Sequence, residues 1–220
     1  MPRLARVVVP HYPHHIIQRG NRRQDVFYKE SDYHYYISLL KAWCEEEQID
    51  ILAYCLMTNH VHLVLVPGEE PNLSRAVGET HRRYTRMINF REKWKGYLWQ
   101  GRYSSYVLDV NWLLATLAYV ELNPVKAKMV VNAWDYRWSS IHGHLTGSDP
   151  FGLMAQNEHM KYVQLEDWKE YIHAAQHTED KQIMQHERTG RPLGSEQFID
   201  NVGVLLGRDL KKKQPGPKVK

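Results

Sequence analysis

Two histidines one residue apart, His60 and His62, sit in the stretch Tyr54-Cys-Leu-Met-Thr-Asn-His-Val-His-Leu-Val-Leu-Val66. The stretch reads as two strands joined by a tight turn. Successive side chains of a strand point to opposite faces. His60, His62, Val64 and Val66 therefore share one face, and Val61, Leu63 and Leu65 the other. Two neutral imidazoles held side by side can grip one divalent metal ion. The same pair is also what two polar positions on a solvated strand face look like. What favours chemistry is the setting: Asn59 and His60 interrupt apolar runs that should be buried, and polar groups beside a core usually have a partner or a task.

A second pair is Tyr119 and Asn123, spaced to share one face of a helix. Tyr119 offers a phenol and Asn123 a carboxamide oxygen. Each has a plain alternative. Tyr119 reads equally as a buried aromatic, and Asn123 as the N-cap of a helix beginning at Pro124.

The elements that position these residues follow from pattern. His14–Arg19 is a strand candidate ending at the Gly20-Asn21 turn. Ser31 begins a first helix, with Asp32 in its first turn and Tyr35, Tyr36, Leu39, Leu40 and Trp43 at helical spacing. The two central strands come next. A second helix runs from Asn72 or Ser74 to about Phe90, with Leu73, Val77, Tyr84, Met87 and Ile88 inward and Arg75, Arg82, Arg83 and Arg86 on another side. Residues 103–108 form a fourth strand. The fold class is α+β: strand, helix, strand, strand, helix, strand is the ferredoxin-like split arrangement, an antiparallel sheet with both helices on one face. A third helix covers 111–122 and a short one 124–131. Residues 153–188 read as polar and helical, Gly190–Gly194 as a linker, and 195–206 as a small amphipathic helix. We therefore divide the chain into 1–145, a helical C-terminal extension 146–210, and a basic disordered tail 211–220.

The chain has 220 residues and a formal net charge of +4. Its distribution says more. Residues 1–30 hold six basic and two acidic side chains, 75–102 eight and two, and 205–220 six and one. Three basic runs, interleaved with Tyr84, Trp94, Tyr97, Trp99 and Tyr103, point to a polyanion, with nucleic acid foremost. Nothing reads as a signal peptide or membrane span. Cys44 and Cys55 are isolated, which suggests a reducing, cytoplasmic setting.

Asn59-His-Val-His62 after an apolar strand resembles the histidine–hydrophobe–histidine (HUH) motif of single-tyrosine transposases and related nicking enzymes. Trp99-Gln-Gly-Arg102, Tyr119-Val-Glu-Leu-Asn-Pro-Val-Lys-Ala127, Trp138-Ser-Ser140 and Pro13-His-His-Ile-Ile-Gln-Arg-Gly-Asn-Arg-Arg23 resemble one branch: the transposases associated with repetitive extragenic palindromes (REP), relatives of the IS200/IS605 transposases. The resemblance covers residues 1–145 well, 186–217 as the family's C-terminal extension, and 146–185 weakly. It implies the HUH nuclease fold, Tyr119 as nucleophile, and His60, His62 and Asn123 as ligands of Mg2+ or Mn2+. It implies cleavage and strand transfer of single-stranded DNA at REP-like hairpins through a 5′-phosphotyrosine. It also implies a bacterial, nucleoid-associated protein with no membrane partner, acting as a monomer, with a dimer as the alternative. The candidate DNA-gripping residues are Arg19, Asn21, Arg22, Arg23, Arg82, Arg83, Arg86, Arg102, Lys211, Lys212 and Lys213. Two other readings stay open: a domesticated hairpin-binding protein without turnover, and a metal-dependent hydrolase of small phosphate esters.

The tail carries five lysines, Lys211, Lys212, Lys213, Lys218 and Lys220, and no nucleophile. Each lysine that neutralises a phosphate of single-stranded DNA contributes roughly −0.7 to the slope of log K against log salt. Deleting 211–220 should weaken binding and flatten that slope by about one to three units, at an unchanged cleavage position. A salt titration of hairpin binding checks this; an unaltered slope means the tail does not touch DNA.

Overall fold

In the computed structural model, residues 6–69, 72–154, 168–178 and 181–211 are described. Four strands, β1 (His14–Arg19), β2 (Ile49–Met57), β3 (His60–Pro67) and β4 (Ser104–Val107), form one antiparallel sheet in the order β2-β3-β1-β4. Helix α1 (Glu30–Glu46) connects β1 to β2, and α2 (Leu73–Glu92) connects β3 to β4. The split arrangement read from the sequence is present.

β2 and β3 are almost wholly apolar, and every residue of β3 is buried. A strand buried along its length is covered on both faces. α1 and α2 pack on each other and α1 on β2, whereas α3 (Leu113–Glu121) packs on β2 and β3. The ring of Tyr119 on α3 lies 5.8 Å from that of His62, so α3 roofs the histidine face and α1 and α2 fill the other. Their layer is aromatic: Phe27 stacks on Tyr33 and meets Tyr36 and Tyr84.

Local signals explain the element ends. α1 starts one residue before Ser31, because Asp32 reaches back to accept the N–H groups of Tyr28 and Lys29. Asp32 also receives the Arg91 guanidinium from the end of α2, which ties the two helices. α2 covers the expected span, with Leu73, Val77, Tyr84 and Ile88 buried and Arg75, Arg82, Arg83 and Arg86 exposed. The expected third helix is shorter: Val110–Trp112 is a 3-10 turn begun by Asp109, whose carboxylate accepts the Asn111 N–H. At its far end Leu122 separates α3 from α4 (Asn123–Lys126) without leaving helical backbone geometry. α4 stops well before residue 131.

Gly190–Gly194 is not a linker. Leu193 is buried and pairs in parallel with Leu108, accepting the Asp109 N–H and donating to the Val107 carbonyl. The expectation failed because backbone pairing carries no side-chain signature. α8 (Glu196–Leu206), capped by Ser195, then places Phe198 and Val202 against Val7, Val9 and Val107. Residues 138–140 extend the sheet beyond β2: Leu56 donates to the Trp138 carbonyl and Ser140 to that of Tyr54.

This last segment leads to a buried cluster on α3. Glu121 is fully buried. Its Oε1 accepts from Ser140 Oγ and His144 Nδ1, both at 2.5 Å, and its Oε2 accepts from Trp168 Nε1 at 2.9 Å. His144 belongs to α5 (Ile141–Thr146) and Trp168 to α6 (Trp168–Ala175). Three donors from three segments thus hold the helix that carries Tyr119. Removing the shared acceptor leaves three buried donors stranded. Glu121→Ala should cost about 3–5 kcal/mol, and Glu121→Gln, which keeps an acceptor oxygen, less. Urea unfolding of both variants checks this; a loss under about 1 kcal/mol for Glu121→Ala would mean the cluster does not hold α3.

Candidate active site

The two-residue turn Thr58-Asn59 between β2 and β3 fixes the register that brings His60 and His62 onto one face. Their ring centroids lie 5.0 Å apart, at an angle of 72°. Register then adds residues from neighbouring strands. His15 of β1 pairs with Val64, Ile17 with His62, and Tyr106 of β4 with His15. His15 therefore stands between His62 and Tyr106 on the same face. Its Nε2 lies 2.9 Å from His62 Nδ1 and its Nδ1 2.6 Å from Tyr106 Oη.

Burial keeps these rings neutral. It pushes His15 and His60 down to about 3, with the Arg19 cation adding to the effect on His60. His62 is driven well below the usual histidine range by burial and by its charged or chargeable neighbours His15, His60 and Arg19. Neutral imidazole is the ligating form, so a metal ion would meet no proton competition at neutral pH.

The chain of rings also bears on which His62 nitrogen is available. If His62 Nδ1–H donates to His15 Nε2, His15 Nδ1–H donates to Tyr106 Oη, and His62 Nε2 keeps its lone pair. That Nε2 is buried and has no hydrogen-bond partner among the described residues. A buried, unsatisfied imidazole nitrogen is costly and fits a metal ligand. His60 Nδ1 is engaged by Asn59 Oδ1 at 2.6 Å, which likewise leaves its Nε2 side for a ligand.

Tyr119 lies edge-on to both His15 (5.9 Å) and His62 (5.8 Å). It is 7% exposed, and the ammonium of Lys126 sits 4.8 Å from its ring centre. Asn123 stays one helical turn beyond Tyr119, since the backbone continues helically through Leu122. It makes no N-cap bond; its Nδ2 donates to the Tyr119 carbonyl at 2.9 Å. That anchors the carboxamide beside Tyr119 and leaves its oxygen as the potential ligand atom.

A second donor set shares His62. His15, His62 and Glu187 have ligand atoms within 4.8 Å of one another, with Glu187 Oε1 3.9 Å from His62 Nδ1. We favour the Nε2 side of His62 for an ion, because Nδ1 is already taken by His15. Glu187 Oε1 approaches the same nitrogen no nearer than 3.9 Å, beyond hydrogen-bond reach. Glu187 comes from α7 (Lys181–Thr189), and Ser104 Oγ donates to its backbone carbonyl.

The site opens onto a cleft of about 910 Å³ lined by Arg19, Arg23, Asn59, His60, Arg102 and Arg188 among others. Three arginines expected to grip DNA, Arg19, Arg23 and Arg102, therefore meet at His60. Asn21, Arg22 and Arg23 form a 3-10 turn in which Arg22 and Arg23 both adopt the left-handed backbone region, at φ 53° and 61°. The turn is stitched down by Gly20 N–H to the Asn59 carbonyl and Asn21 N–H to that of Leu98. Gly20 is required there, since a Cβ would meet the Gln24 carbonyl at 2.2 Å. The helical arginines are less available. Arg82 is held by Glu79, and Arg83 lies over Trp43 near the same carboxylate. Arg86 is exposed. Lys211 pairs with Asp200 at 2.7 Å; Lys212 and Lys213 lie outside the described residues.

His15, Lys126, Glu187 and Arg188 were not singled out from the sequence. His15 had one available signal, its place two residues before Ile17 on a strand whose register sets it beside His62. Glu187 and Arg188 had none.

Comparison with known proteins bears on these residues. The sequence model of the family described as transposase, IS200 like, matches residues 8–123. A Haemophilus influenzae (strain ATCC 51907 / DSM 11121 / KW20 / Rd) protein assigned as a REP-associated tyrosine transposase is 27% identical over 116 residues. The match spans 48% of this chain and 66% of that protein, just under two thirds of its length. A solved structure of a REP-associated tyrosine transposase bound to a REP hairpin superposes with a TM-score of 0.59 at 18% identity, over 71% of this chain and 93% of that one. At that identity the likeness is one of fold.

The His15–His62 hydrogen bond yields a test of its own. Outer partners of ligating histidines typically contribute ten- to a hundredfold in metal affinity. His15→Phe keeps a ring in the slot but removes the acceptor for His62 Nδ1–H. Mn2+ binding followed by electron paramagnetic resonance should weaken by about that factor, with circular dichroism unchanged. Equal affinity would mean that His15 does not set the His62 tautomer.

Proposed function

The chain belongs to the IS200-like transposase family, and on that premise we propose that it cuts and transfers single-stranded DNA beside a REP-type hairpin, using Tyr119 as nucleophile. The observation that carries this reading is the packing of the Tyr119 phenol against His62, a buried imidazole whose Nε2 has no partner among the described residues. A phenol beside an imidazole able to ligate a metal ion is what phosphodiester cleavage by tyrosine needs.

His60, His62 and the Asn123 carboxamide oxygen would hold the divalent ion, Mg2+ or Mn2+. When bound, such an ion neutralises phosphate charge and orients the scissile group. The protein's own residues do the rest. Arg19, Arg23 and Arg102 draw the strand into the cleft through its phosphates, which positions it without reading sequence. The Tyr119 oxygen attacks phosphorus in line, the phosphorus–O3′ bond breaks, and a 5′-phosphotyrosine and a free 3′-hydroxyl result. The new ester keeps the energy of the old one. A second 3′-hydroxyl can therefore attack it, restore the tyrosine and join two strands without a nucleotide cofactor.

His15, His60, His62, Tyr119 and Glu187 meet within a single chain, which supports a site complete in one monomer. The buried ligand set and intact phenol support turnover over the binding-only reading.

Tyr119→Phe removes one oxygen and keeps the ring's packing. It should abolish the denaturation-resistant protein–DNA adduct formed with labelled single-stranded repeat DNA and Mg2+, while hairpin affinity stays within a few-fold. His60→Ala should abolish the adduct without a fall in melting temperature. A Phe variant that still cuts would assign the attack to water or another tyrosine, and the strand-transfer reading would fail.

A further inference from the structure

His62 has two nitrogens, and the chemistry described above uses only Nε2. The other side of the ring belongs to a second donor set. His15 Nε2 lies 2.9 Å from His62 Nδ1, and Glu187 Oε1 lies 3.9 Å from that same nitrogen. The three residues come from β1, β3 and α7. Among the described residues, no other three His, Cys, Asp or Glu side chains bring ligand atoms this close together. Glu187 also lies beyond residues 8–123, the segment matched by the family model.

Distance decides what such a set can share. Two atoms that share one proton sit about 2.9 Å apart. Two ligand atoms of one tetrahedral Zn2+, each about 2.0–2.1 Å from the ion, sit about 3.3 Å apart. The two rings are at the first spacing. The carboxylate oxygen is too far for the first and close to the second. An ion replacing the shared proton parts the rings by about 0.4 Å and draws the carboxylate in by about 0.6 Å. The surroundings suit it. Tyr106 Oη lies 2.6 Å from His15 Nδ1, so the ring that presents Nε2 is oriented from behind, as ligating histidines are. Ser104 Oγ donates to the Glu187 backbone carbonyl at 2.7 Å, which fixes the end of α7 beside β4. Both rings are fully buried, and closed sites are usual for structural zinc. The Glu187 side chain is 12% exposed and lines the cleft, which gives an ion its way in. Mg2+ and Mn2+ favour oxygen and water, and gain little by breaking the bond between the rings. Zn2+ binds imidazole more strongly and gains by it.

The two sides of His62 are coupled by its tautomer. A neutral imidazole carries one proton. While that proton is on Nδ1, Nε2 offers a lone pair to the catalytic ion. An ion held on Nδ1 sends the proton to Nε2, and a protonated nitrogen ligates nothing. The ring loses no proton; the proton changes nitrogen. We propose that His15, His62 and Glu187 bind Zn2+, and that this ion silences the enzyme by keeping the catalytic metal off His62 Nε2. The silencing rests on the reading of the protein as a metal-dependent DNA-cutting enzyme; the zinc site does not.

The experiment uses the full-length protein, stripped of metal, with Zn2+ as the probe. Nitrogen-15 spectra of the histidine rings show which nitrogen of His62 holds the proton. It should be Nδ1 without metal and Nε2 with zinc bound. Zinc affinity is read by competition with a chromogenic chelator. His60→Ala takes a donor from the Nε2 side alone and should bind Zn2+ within a few-fold of the wild type. Adding Glu187→Gln to it should weaken zinc binding at least about tenfold, since a direct ligand contributes no less than an outer partner. In the wild type, Mn2+ binding followed by electron paramagnetic resonance should fall by a similar factor once zinc is in place. A proton that stays on Nδ1, or a His60→Ala variant that loses zinc, would put the ion on the Nε2 side and overturn the site. Zinc affinity indifferent to Glu187→Gln would overturn it as well. Undiminished Mn2+ binding beside bound zinc, with His62 bridging both ions, would overturn the exclusion. A wild type that binds zinc in the expected tautomer, yet never cuts DNA in Mg2+, would sink the enzymatic reading and the silencing with it, and leave the zinc site standing.

Discussion

A strand buried on both faces cannot carry an unsatisfied imidazole without cost, and β3 carries one at His62. That constraint organises the molecule around it. His62, with no exposure to water, needs a partner on each nitrogen. The sheet register supplies His15 to one of them, and Tyr106 supports His15 in turn. The other nitrogen is left toward the site. The apolar residues of the same strand do the complementary work: they make the sheet rigid enough to hold two rings 5.0 Å apart before any ligand arrives. The histidines are therefore neutral and held in fixed directions.

The tyrosine is held by a separate buried device. Glu121 gathers donors from Ser140, His144 and Trp168, so the helix above the sheet is fixed two residues along from Tyr119. Sheet and helix are thereby set independently, and the space between His62 and Tyr119 is the result of both. The arginines divide in the same manner. Arg19 at the end of β1 and Arg23 on the turn after it line the cleft at exposed positions, while Arg82, Arg83 and Arg91 are occupied by Glu79 and Asp32 within the chain.

Much of this was legible in the sequence because it depends on local period. Alternation along residues 60–66 placed both histidines on one face, and helical spacing placed Asn123 one turn from Tyr119. The fold order followed from runs of strand and helix signals. What was not legible depends on pairs distant along the chain. The bond from His15 to His62 spans 47 residues, as does that from Glu121 to Trp168. Neither pair leaves a periodic trace. Leu193 was taken for part of a linker for the same reason: its backbone pairing with Leu108 is written in main-chain groups that every residue possesses. Glu187 lay in a polar stretch with nothing to distinguish it from its neighbours until α7 packed beside β4.

The long reach of these contacts has a consequence for how the protein comes into being. Arg208 donates to the backbone carbonyl of Arg6 across 202 positions, and the donors that steady α3 lie up to 47 residues beyond it. Contacts of such separation form late, because closing long loops must be offset by burial that comes only with the closed structure. A chain still leaving the ribosome exposes its tyrosine well before Trp168 and Glu187 have emerged. The nascent polypeptide thus carries Tyr119 before the frame that positions it, and the packing around α3 is complete only once Trp168 has been made.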